Sequence, residues 1–307
     1  MTAETSATEV VLSAPARGAR WVVAVLRTAR PRQWPKNLLV FAAPLAGASL
    51  GRRDGLLYAL VAAAAFGFAS VAVYFVNDVA DAGRDRLHPR KQHRPVASGE
   101  LPNRDAIVLG ALCALAGLAA GLLIAEPLLT ATVAAYLGLS FAYSWKLKQI
   151  AVIELLFVAS GFLLRVLGGA AATHVPPSGW FLMVCSLGAL GVVLAKRYTE
   201  LTNLGAEAIE HRPVMRWYRP AALRLGQLAV GAGMIAAYLA WAASEHPEAR
   251  TWHLASVVPL VAALVRFAFL TGRRTVNGST PVEDLLTRDG PMLACEACWL
   301  ALFVVGL

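Results

Sequence analysis

Long apolar stretches, separated by short polar segments, follow one another along nearly the whole chain. An α-helix needs about 20 apolar residues to cross the hydrocarbon core of a bilayer. The pattern predicts an all-α membrane protein with nine transmembrane helices, near residues 38–50, 56–76, 106–125, 127–144, 151–171, 180–195, 222–243, 252–271 and 284–306. The first and the sixth of these stretches are short for a span.

Composition agrees with this pattern. The 307 residues are 58% hydrophobic and only 15% charged, and the mean hydropathy is +0.58. Soluble domains carry about 25% charged residues, so a soluble globular protein is excluded. The net charge of +9 comes from basic residues in several short segments rather than on one domain, which argues against nucleic-acid binding.

The basic residues also predict the orientation. Of the 28 Lys and Arg residues, only Arg52, Arg53 and Arg250 fall in the outer segments if the N-terminus is cytoplasmic, and Arg165 and Arg266 lie within spans. The positive-inside rule therefore places the N-terminus and the polar clusters at the cytoplasmic face of the cell membrane. A basic face of this kind favours anionic lipids or anionic substrates.

Three regions are expected along the chain. Residues 1–16 are polar, lack the apolar core of a signal peptide and are predicted to be a disordered tail. Residues 17–36 alternate basic and apolar side chains, as is typical of an amphipathic helix in the membrane interface. Residues 37–307 are expected to form a single domain of nine transmembrane helices.

Four polar residues that directly follow the second apolar stretch are predicted to share one helix face: Asn77, Asp78, Asp81 and Asp85. Spacings of three and four meet on successive turns. Like charges this close repel, so the ladder indicates a bound cation, and oxygen ligands favour Mg²⁺. We predict that Asp78, Asp81 and Asp85 bind Mg²⁺ and that Asp78 and Asp81 are catalytic. The alternative is a solvated loop with three chance carboxylates.

A basic segment with Arg86, Lys91 and Arg94 follows the ladder. Carboxylates for a metal followed by basic residues are expected for a diphosphate, because the metal bridges its oxygens and Arg or Lys neutralises the rest. A second basic segment precedes the first span. In it, Lys36 is predicted to bind a phosphate during catalysis, and a positive-inside anchor is the alternative.

Asn77 is predicted to bind substrate together with the basic segment that follows the ladder. Further polar residues at span ends and within spans complete the predicted substrate site: Tyr143, Lys146, Glu154, Arg165, Lys196, Arg197, Tyr198 and Glu200. A charge at mid-bilayer costs about 2.5–3.5 kcal/mol on insertion scales. Glu154 and Arg165 are therefore expected to face the helix bundle, and about three helical turns separate them on one face. A purely structural pair between helices is the alternative.

Three motifs resemble those of the UbiA superfamily of intramembrane prenyltransferases. They are Asn77-Asp78-x-x-Asp81-x-x-x-Asp85, Arg30-Pro31-Arg32-Gln33-Trp34-x-Lys36-Asn37 and Lys196-Arg197-Tyr198-x-Glu200. The resemblance covers the chain from residue 27 onward. It implies a UbiA-like bundle of nine helices and Mg²⁺ as cofactor. The phosphoribosyltransferase branch of the superfamily is the more similar.

One region departs from the family pattern. Members usually carry a second aspartate-rich motif after the sixth span, where this chain offers Glu200, Glu207 and Glu210. A prenyl diphosphate donor is therefore less favoured. The phosphoribosyltransferase branch implies phosphoribosyl pyrophosphate as donor and decaprenyl (polyprenyl) phosphate as acceptor, with release of pyrophosphate, in the synthesis of cell-wall arabinan precursors.

Two alternatives stay open at this point. An aromatic prenyltransferase of the quinone type would use a prenyl diphosphate. A carrier for an anionic metabolite would usually show repeat symmetry and broken helix pairs at mid-membrane, whereas the polar groups here gather at one face. The oligomeric state, a homo-oligomer included, is open as well.

Overall fold

The computed structural model describes residues 14–89, 91–145, 149–244, 250–273 and 282–307. Every regular element in these ranges is helical, which confirms the all-α prediction. The α-helices are α1 (Ala14–Ala29), α2 (Ala42–Ala46), α3 (Arg53–Asp85), α4 (Pro95–Ser98), α5 (Asn103–Leu123), α6 (Pro127–Trp145), α7 (Ile153–Thr173), α8 (Gly179–Leu204), α9 (Ala206–His211), α10 (Pro220–Ser244), α11 (Arg250–Gly272), α12 (Val282–Arg288) and α13 (Gly290–Val305). Short 3₁₀ helices occupy Pro31–Phe41, Ser49–Gly51, Lys91–His93 and Pro213–Trp217.

Seven helices in the described ranges are long and apolar enough to cross a membrane, namely α3, α5, α6, α7, α8, α10 and α11. The chain is therefore a multi-pass membrane protein, as predicted. The predicted count of nine spans is not confirmed. Hydropathy measures composition and does not detect where a helix is interrupted. The two remaining predicted spans are interrupted in the structure, whereas the other seven are continuous helices.

The predicted spans 38–50 and 284–306 are both shorter in the structure. The first lies in the 3₁₀ helix Pro31–Phe41 and the five-residue α2. The second is divided at Asp289, whose side chain accepts a hydrogen bond from the backbone N–H of Met292 and so begins a new helix, α13, of 16 residues.

The chain comprises two compact units. The first contains the described residues within 1–35 and 67–116, and the second contains those within 36–66 and 117–307. The first unit includes α1, the second part of α3, α4 and the first part of α5. The second unit includes α6 to α13.

The core of the first unit is formed by apolar side chains from α1, α3, the α4 segment and α5: Ala24, Phe75, Ala82, Val96, Leu101 and Ala106. The opposite face of α1 is exposed and apolar, with Val22, Val23 and Leu26 about half exposed. An interfacial position for this helix stays a prediction. After α1 ends at Ala29, Arg30 adopts a positive φ of 51°, the left-handed conformation common beyond helix C-termini.

In the second unit, α7 packs between α6 and α8, and α8 also packs against α10. The 3₁₀ segment before α2 approaches α7 closely, because a Cβ atom at Gly169 would overlap the carbonyl oxygen of Val40. Small residues permit such backbone contacts between membrane helices. This approach fixes Asn37, on the same 3₁₀ segment, against α7.

Candidate functional site

The first candidate site is the aspartate cluster, which consists of Asn77, Asp78, Asp81 and Asp85 of α3 with Arg30 and Arg94. Asp78 lies about 38 Å along α3 from the start of the helix, beyond the roughly 30 Å of a hydrocarbon core. Asp78 and Asp85 are buried, with 2% and 4% exposure. The sequence therefore places a ladder of carboxylates just past an apolar span, as predicted.

Two arginines neutralise the buried carboxylates of this cluster. Arg94 donates from Nη1 to Asp85 Oδ2 at 2.8 Å and to Asp78 Oδ1 at 3.3 Å, so it bridges two turns of α3. Arg30 also donates to Asp78 Oδ1, and its guanidinium lies 5.1 Å from the ring centroid of Tyr74. The charge that relieves carboxylate repulsion in this structure is thus supplied by arginine.

Asn77 and Asp81 provide the oxygen atoms best suited to a metal ion. The Oδ1 atom of Asn77 is buried and has no hydrogen-bond partner in the described part of the chain. Asp81, one turn later on the same face, is half-buried and accepts a hydrogen bond from the exposed Arg84. A buried oxygen without a donor is costly, and Mg²⁺ prefers such oxygen ligands. The donor set therefore fits Mg²⁺, although the described ranges contain no group of three His, Cys, Asp or Glu residues arranged for a metal.

The predicted basic segment after the ladder lies in the same unit. Arg86 donates from Nε to the carbonyl oxygen of Ala97 at 3.2 Å, and Lys91 is half-buried within a short 3₁₀ helix. Of these predicted phosphate-binding residues, only Arg94 contacts the aspartates directly. Arg86 instead holds the α4 segment.

The second candidate site is the Glu154 cluster, which consists of Tyr143, Glu154, Arg197, Glu200, Arg212 and Tyr218. Glu154 is fully buried at the start of α7. Arg197 of α8 donates to its two oxygens from Nε and Nη2, at 2.6 and 2.7 Å, and from Nη1 to Glu200 at 2.7 Å. A bidentate pair of this kind combines strength with fixed geometry. The hydroxyl of Tyr143 also donates to Glu154. Four of the predicted residues, Tyr143, Glu154, Arg197 and Glu200, are therefore brought together.

Two residues that the sequence did not single out complete this cluster. Arg212 donates from Nη1 to Tyr143 Oη at 3.0 Å and to Glu154 at 3.1 Å. Tyr218 donates to Glu154 at 3.3 Å, and its hydroxyl accepts the N–H of Val152 at 2.9 Å. Burial raises the pKa of Tyr218, so the phenol stays protonated and able to donate.

Val152, directly before α7, has a φ of 65°. This conformation is an outlier for a β-branched residue, and the hydrogen bond to Tyr218 is one contact that holds it. The turn at Val152 sets the position at which α7 begins, directly before Glu154. Both Arg212 and Tyr218 lie between α9 and α10, in segments that carry no periodic pattern by which sequence could place them.

A third group surrounds Arg165, a buried residue of α7 with 5% exposure. Its Nε donates to Asn37 Oδ1 at 2.8 Å and its Nη2 to Tyr136 Oη at 3.1 Å, while its guanidinium lies 4.6 Å from the Tyr136 ring centroid. Arg165 thus links α7 to α6 and to the 3₁₀ segment. Lys36, next to Asn37, is half-buried.

The remaining predicted residues lie near the end of α8 or outside the described ranges. Lys196 and Tyr198 are half-buried on either side of Arg197. Tyr198 packs in an apolar cluster with Leu155 and Leu223. Lys146 lies outside the described residues, so its predicted role stays a prediction.

Comparisons with known proteins agree with this architecture. The profile of the UbiA prenyltransferase family matches residues 37–280. A decaprenyl-phosphate phosphoribosyltransferase of Mycobacterium tuberculosis is 33% identical over 299 residues, covering 95% of this chain and 96% of the relative. The protein of the same name from Corynebacterium glutamicum is 31% identical over 291 residues, covering 92% and 86%. A solved UbiA homologue from Archaeoglobus fulgidus, bound to GPP and Mg²⁺, has a TM-score of 0.70 and 16% identity, covering 92% of this chain and 99% of that one. This last likeness confirms the predicted UbiA-like fold, whereas the nine spans and the cytoplasmic N-terminus stay predictions.

Proposed function

The chain belongs to the UbiA prenyltransferase family, and we propose that it transfers the 5-phosphoribosyl group of phosphoribosyl pyrophosphate to decaprenyl phosphate or a similar polyprenyl phosphate. The observation that carries this proposal is the likeness to decaprenyl-phosphate phosphoribosyltransferases over 95% of the chain. Both substrates are anionic, in keeping with the basic residues of the candidate sites. We place the reaction at the cytoplasmic face of the cell membrane, which a soluble, charged donor can reach.

In the proposed reaction, an oxygen of the lipid phosphate forms a bond to C1 of the ribose. The bond between C1 and the pyrophosphate oxygen breaks, and its electron pair leaves with pyrophosphate. The lipid phosphate is already anionic and needs no strong general base. The main demand on the protein is therefore to stabilise the negative charge that develops on the leaving pyrophosphate.

The aspartate cluster suits this demand. Asn77, Asp78 and Asp81 would hold Mg²⁺, which when bound supplies charge stabilisation for the leaving pyrophosphate. Arg30 and Arg94 already neutralise Asp78, so they lie where a diphosphate would bind next to that carboxylate. The remaining N–H groups of these two arginines would donate to the outer oxygens of the diphosphate. Asp85, which Arg94 holds at 2.8 Å, would position that arginine.

The Glu154 cluster serves a different purpose in this proposal. Arg197 donates twice to Glu154 and once to Glu200, which leaves little capacity for a substrate phosphate. Breaking a buried ion pair to bind a ligand would be costly. We therefore assign Arg197 to holding α7 and α8 together, and we keep Lys36 and Lys196 as candidates for substrate phosphates.

A transfer assay tests this function. Purified protein in detergent would receive phosphoribosyl pyrophosphate labelled in the ribose, together with decaprenyl phosphate and Mg²⁺. We expect label in the organic extract only when lipid phosphate and Mg²⁺ are both present, and none when decaprenol replaces decaprenyl phosphate. Label that stays in the aqueous phase with all components present would contradict the proposal.

A further inference from the structure

Arg224, at the start of the second turn of α10, has only neutral partners among the described residues. Its Nη1 atom donates to Gln227 Oε1 at 2.9 Å and to Thr271 Oγ1 at 3.3 Å. Its guanidinium also lies 5.7 Å from the ring centroid of Tyr198. None of these groups carries a negative charge, so the positive charge of this half-buried arginine is not neutralised by them.

Two donor atoms of the same guanidinium remain available. No acceptor for Nε or Nη2 of Arg224 occurs in the described ranges. Gly272 packs beside this guanidinium, since a Cβ atom there would be 3.3 Å from Nη2 and 3.6 Å from Cζ. Adjacent N–H groups on one edge of a guanidinium match the spacing of two phosphate oxygens.

The positive charge is not needed to join the helices. Gln227 donates from Nε2 to Thr271 Oγ1 at 3.1 Å, and both residues are buried, so this neutral pair already links α10 to α11. A partly buried charge without a counter-charge costs free energy. Its presence next to a complete neutral contact points to an anionic ligand.

The surroundings indicate what kind of anion this is. Leu225 and Leu228 of α10 are 69% and 49% exposed, and Leu228 lies one turn after Arg224 on the same helix face. Arg224 and Thr271 lie near the ends of two apolar helices, the depth at which lipid headgroups lie. A phosphate with an attached apolar chain fits both features.

We propose that Arg224 binds the phosphate of the polyprenyl phosphate acceptor through Nε and Nη2, while the first isoprene units lie along Leu225 and Leu228. This inference rests on the proposed function for the identity of the acceptor. It also reverses the expectation from sequence, which predicted Arg197 as a substrate-site residue and did not single out Arg224. Arg197 is occupied by carboxylates and holds the fold, whereas Arg224 is available to the substrate.

Steady-state kinetics of Arg224→Gln test the assignment, because the substitution removes the charge and keeps a polar side chain. We expect the KM for decaprenyl phosphate to rise about tenfold or more, as for loss of a bidentate charged contact, with kcat and the KM for phosphoribosyl pyrophosphate little changed. Arg224→Lys should recover only part of the affinity, because an ammonium group is a point charge.

Two controls separate this role from general effects. Arg273→Gln removes the same charge just beyond α11, where Arg273 is exposed and its guanidinium lies 4.2 Å from the ring centroid of Phe269, and it should leave both KM values unchanged. Ser256→Ala removes a different neutral contact between α10 and α11, the hydrogen bond between Ser256 Oγ and Tyr238 Oη at 2.6 Å, and it should lower the melting temperature without raising the lipid KM. An unchanged lipid KM in Arg224→Gln, or a rise in the donor KM instead, would overturn the assignment.

A binding measurement distinguishes a failure of the lipid-phosphate site at Arg224 from a failure of the proposed transferase function. Calorimetric titration of the detergent-purified protein with farnesyl monophosphate, farnesol and inorganic phosphate needs no turnover. We expect wild type to bind farnesyl monophosphate most tightly and Arg224→Gln to bind it about tenfold more weakly. Equal binding by the two proteins, or equal affinity for inorganic phosphate and farnesyl monophosphate, would refute the lipid site even if ribose transfer is observed.

Discussion

The carboxylate of Glu154 receives hydrogen bonds from both Nε and Nη2 of Arg197, at 2.6 and 2.7 Å. Glu154 lies in the first turn of α7 and Arg197 in the last turns of α8, and both side chains are almost completely buried. The start of one membrane helix is thereby fixed to the end of the next. Tyr218 and Arg212 extend this contact to the segment before α10.

Removal of one member of this pair should destabilise the protein. We expect Glu154→Gln to lower the free energy of unfolding by about 3 kcal/mol, because it leaves a buried guanidinium short of a counter-charge. Scanning fluorimetry in detergent measures the accompanying loss of melting temperature. The double variant Glu154→Gln, Arg197→Met should recover part of it.

Glu207 provides the matched control for that substitution, since it is an exposed glutamate just after α8. Glu207→Gln should melt like wild type. Equal melting temperatures for Glu154→Gln and Glu207→Gln would show that the buried pair contributes nothing to stability.

Asp81→Asn and Asn77→Ala should weaken the response to Mg²⁺. Each removes an oxygen atom that we assign to the metal, so the Mg²⁺ concentration for half-maximal transfer should rise at least about tenfold. Asp54→Asn changes an exposed aspartate at the opposite end of α3 and should leave the titration curve unchanged. A wild-type Mg²⁺ response in Asp81→Asn means that the metal is bound elsewhere.

Substitutions of Arg30 and of Arg27 should differ sharply in their effect on the KM for the donor. Arg30 contacts the buried Asp78, whereas Arg27 pairs with Glu100 at the exposed surface, where such pairs contribute little. We expect Arg30→Gln to raise the KM for phosphoribosyl pyrophosphate about tenfold, as for loss of a charge-assisted contact. Arg27→Gln should leave it near wild type, and similar KM values for both variants would contradict the placement of the donor.

Acid should remove the contribution of Asp289 to stability. Hydrogen bonds from Arg266 and from the backbone of Met292 hold the pKa of Asp289 below its ordinary value of 3.8. The stabilisation is therefore fully present above pH 3.8 and is lost as the pH falls through the lower value of the folded state.

Asp289→Asn tests this linkage because asparagine still caps the start of α13 but no longer pairs with Arg266. The melting temperature of the variant should lie below that of wild type at neutral pH, and the difference should shrink as the pH falls below 3.8. A difference that stays constant with pH would mean that the ion pair is not responsible.

The aspartate ladder was predictable from sequence because its information is local. Spacings of three and four on a continuing helix define a face without reference to any other segment. The partners of Asp78 were not predictable in this way. Arg30 approaches it after a left-handed turn at the end of α1, and Arg94 approaches from a short segment whose path no periodic pattern describes.

The prediction of transmembrane spans was limited in the same way, because it also used only local sequence information. Hydropathy located the seven long helices, because their apolar stretches are continuous. It did not show that Pro31–Phe41 is a 3₁₀ helix or that Asp289 begins a separate helix. Glu154 and Arg165 were expected to face the bundle, and they do, but each contacts a different set of residues: Arg197 and Arg212 for Glu154, and Asn37 and Tyr136 for Arg165.

The identity of the donor is the central claim, and a direct comparison of two donors tests it. Purified protein with Mg²⁺ would receive either phosphoribosyl pyrophosphate with decaprenyl phosphate or a labelled prenyl diphosphate with an aromatic acid, and mass spectrometry would identify the lipid products. We predict a phosphoribosylated decaprenyl phosphate in the first reaction and no product in the second. A prenylated aromatic acid in the second reaction, with no ribose transfer in the first, would contradict the account.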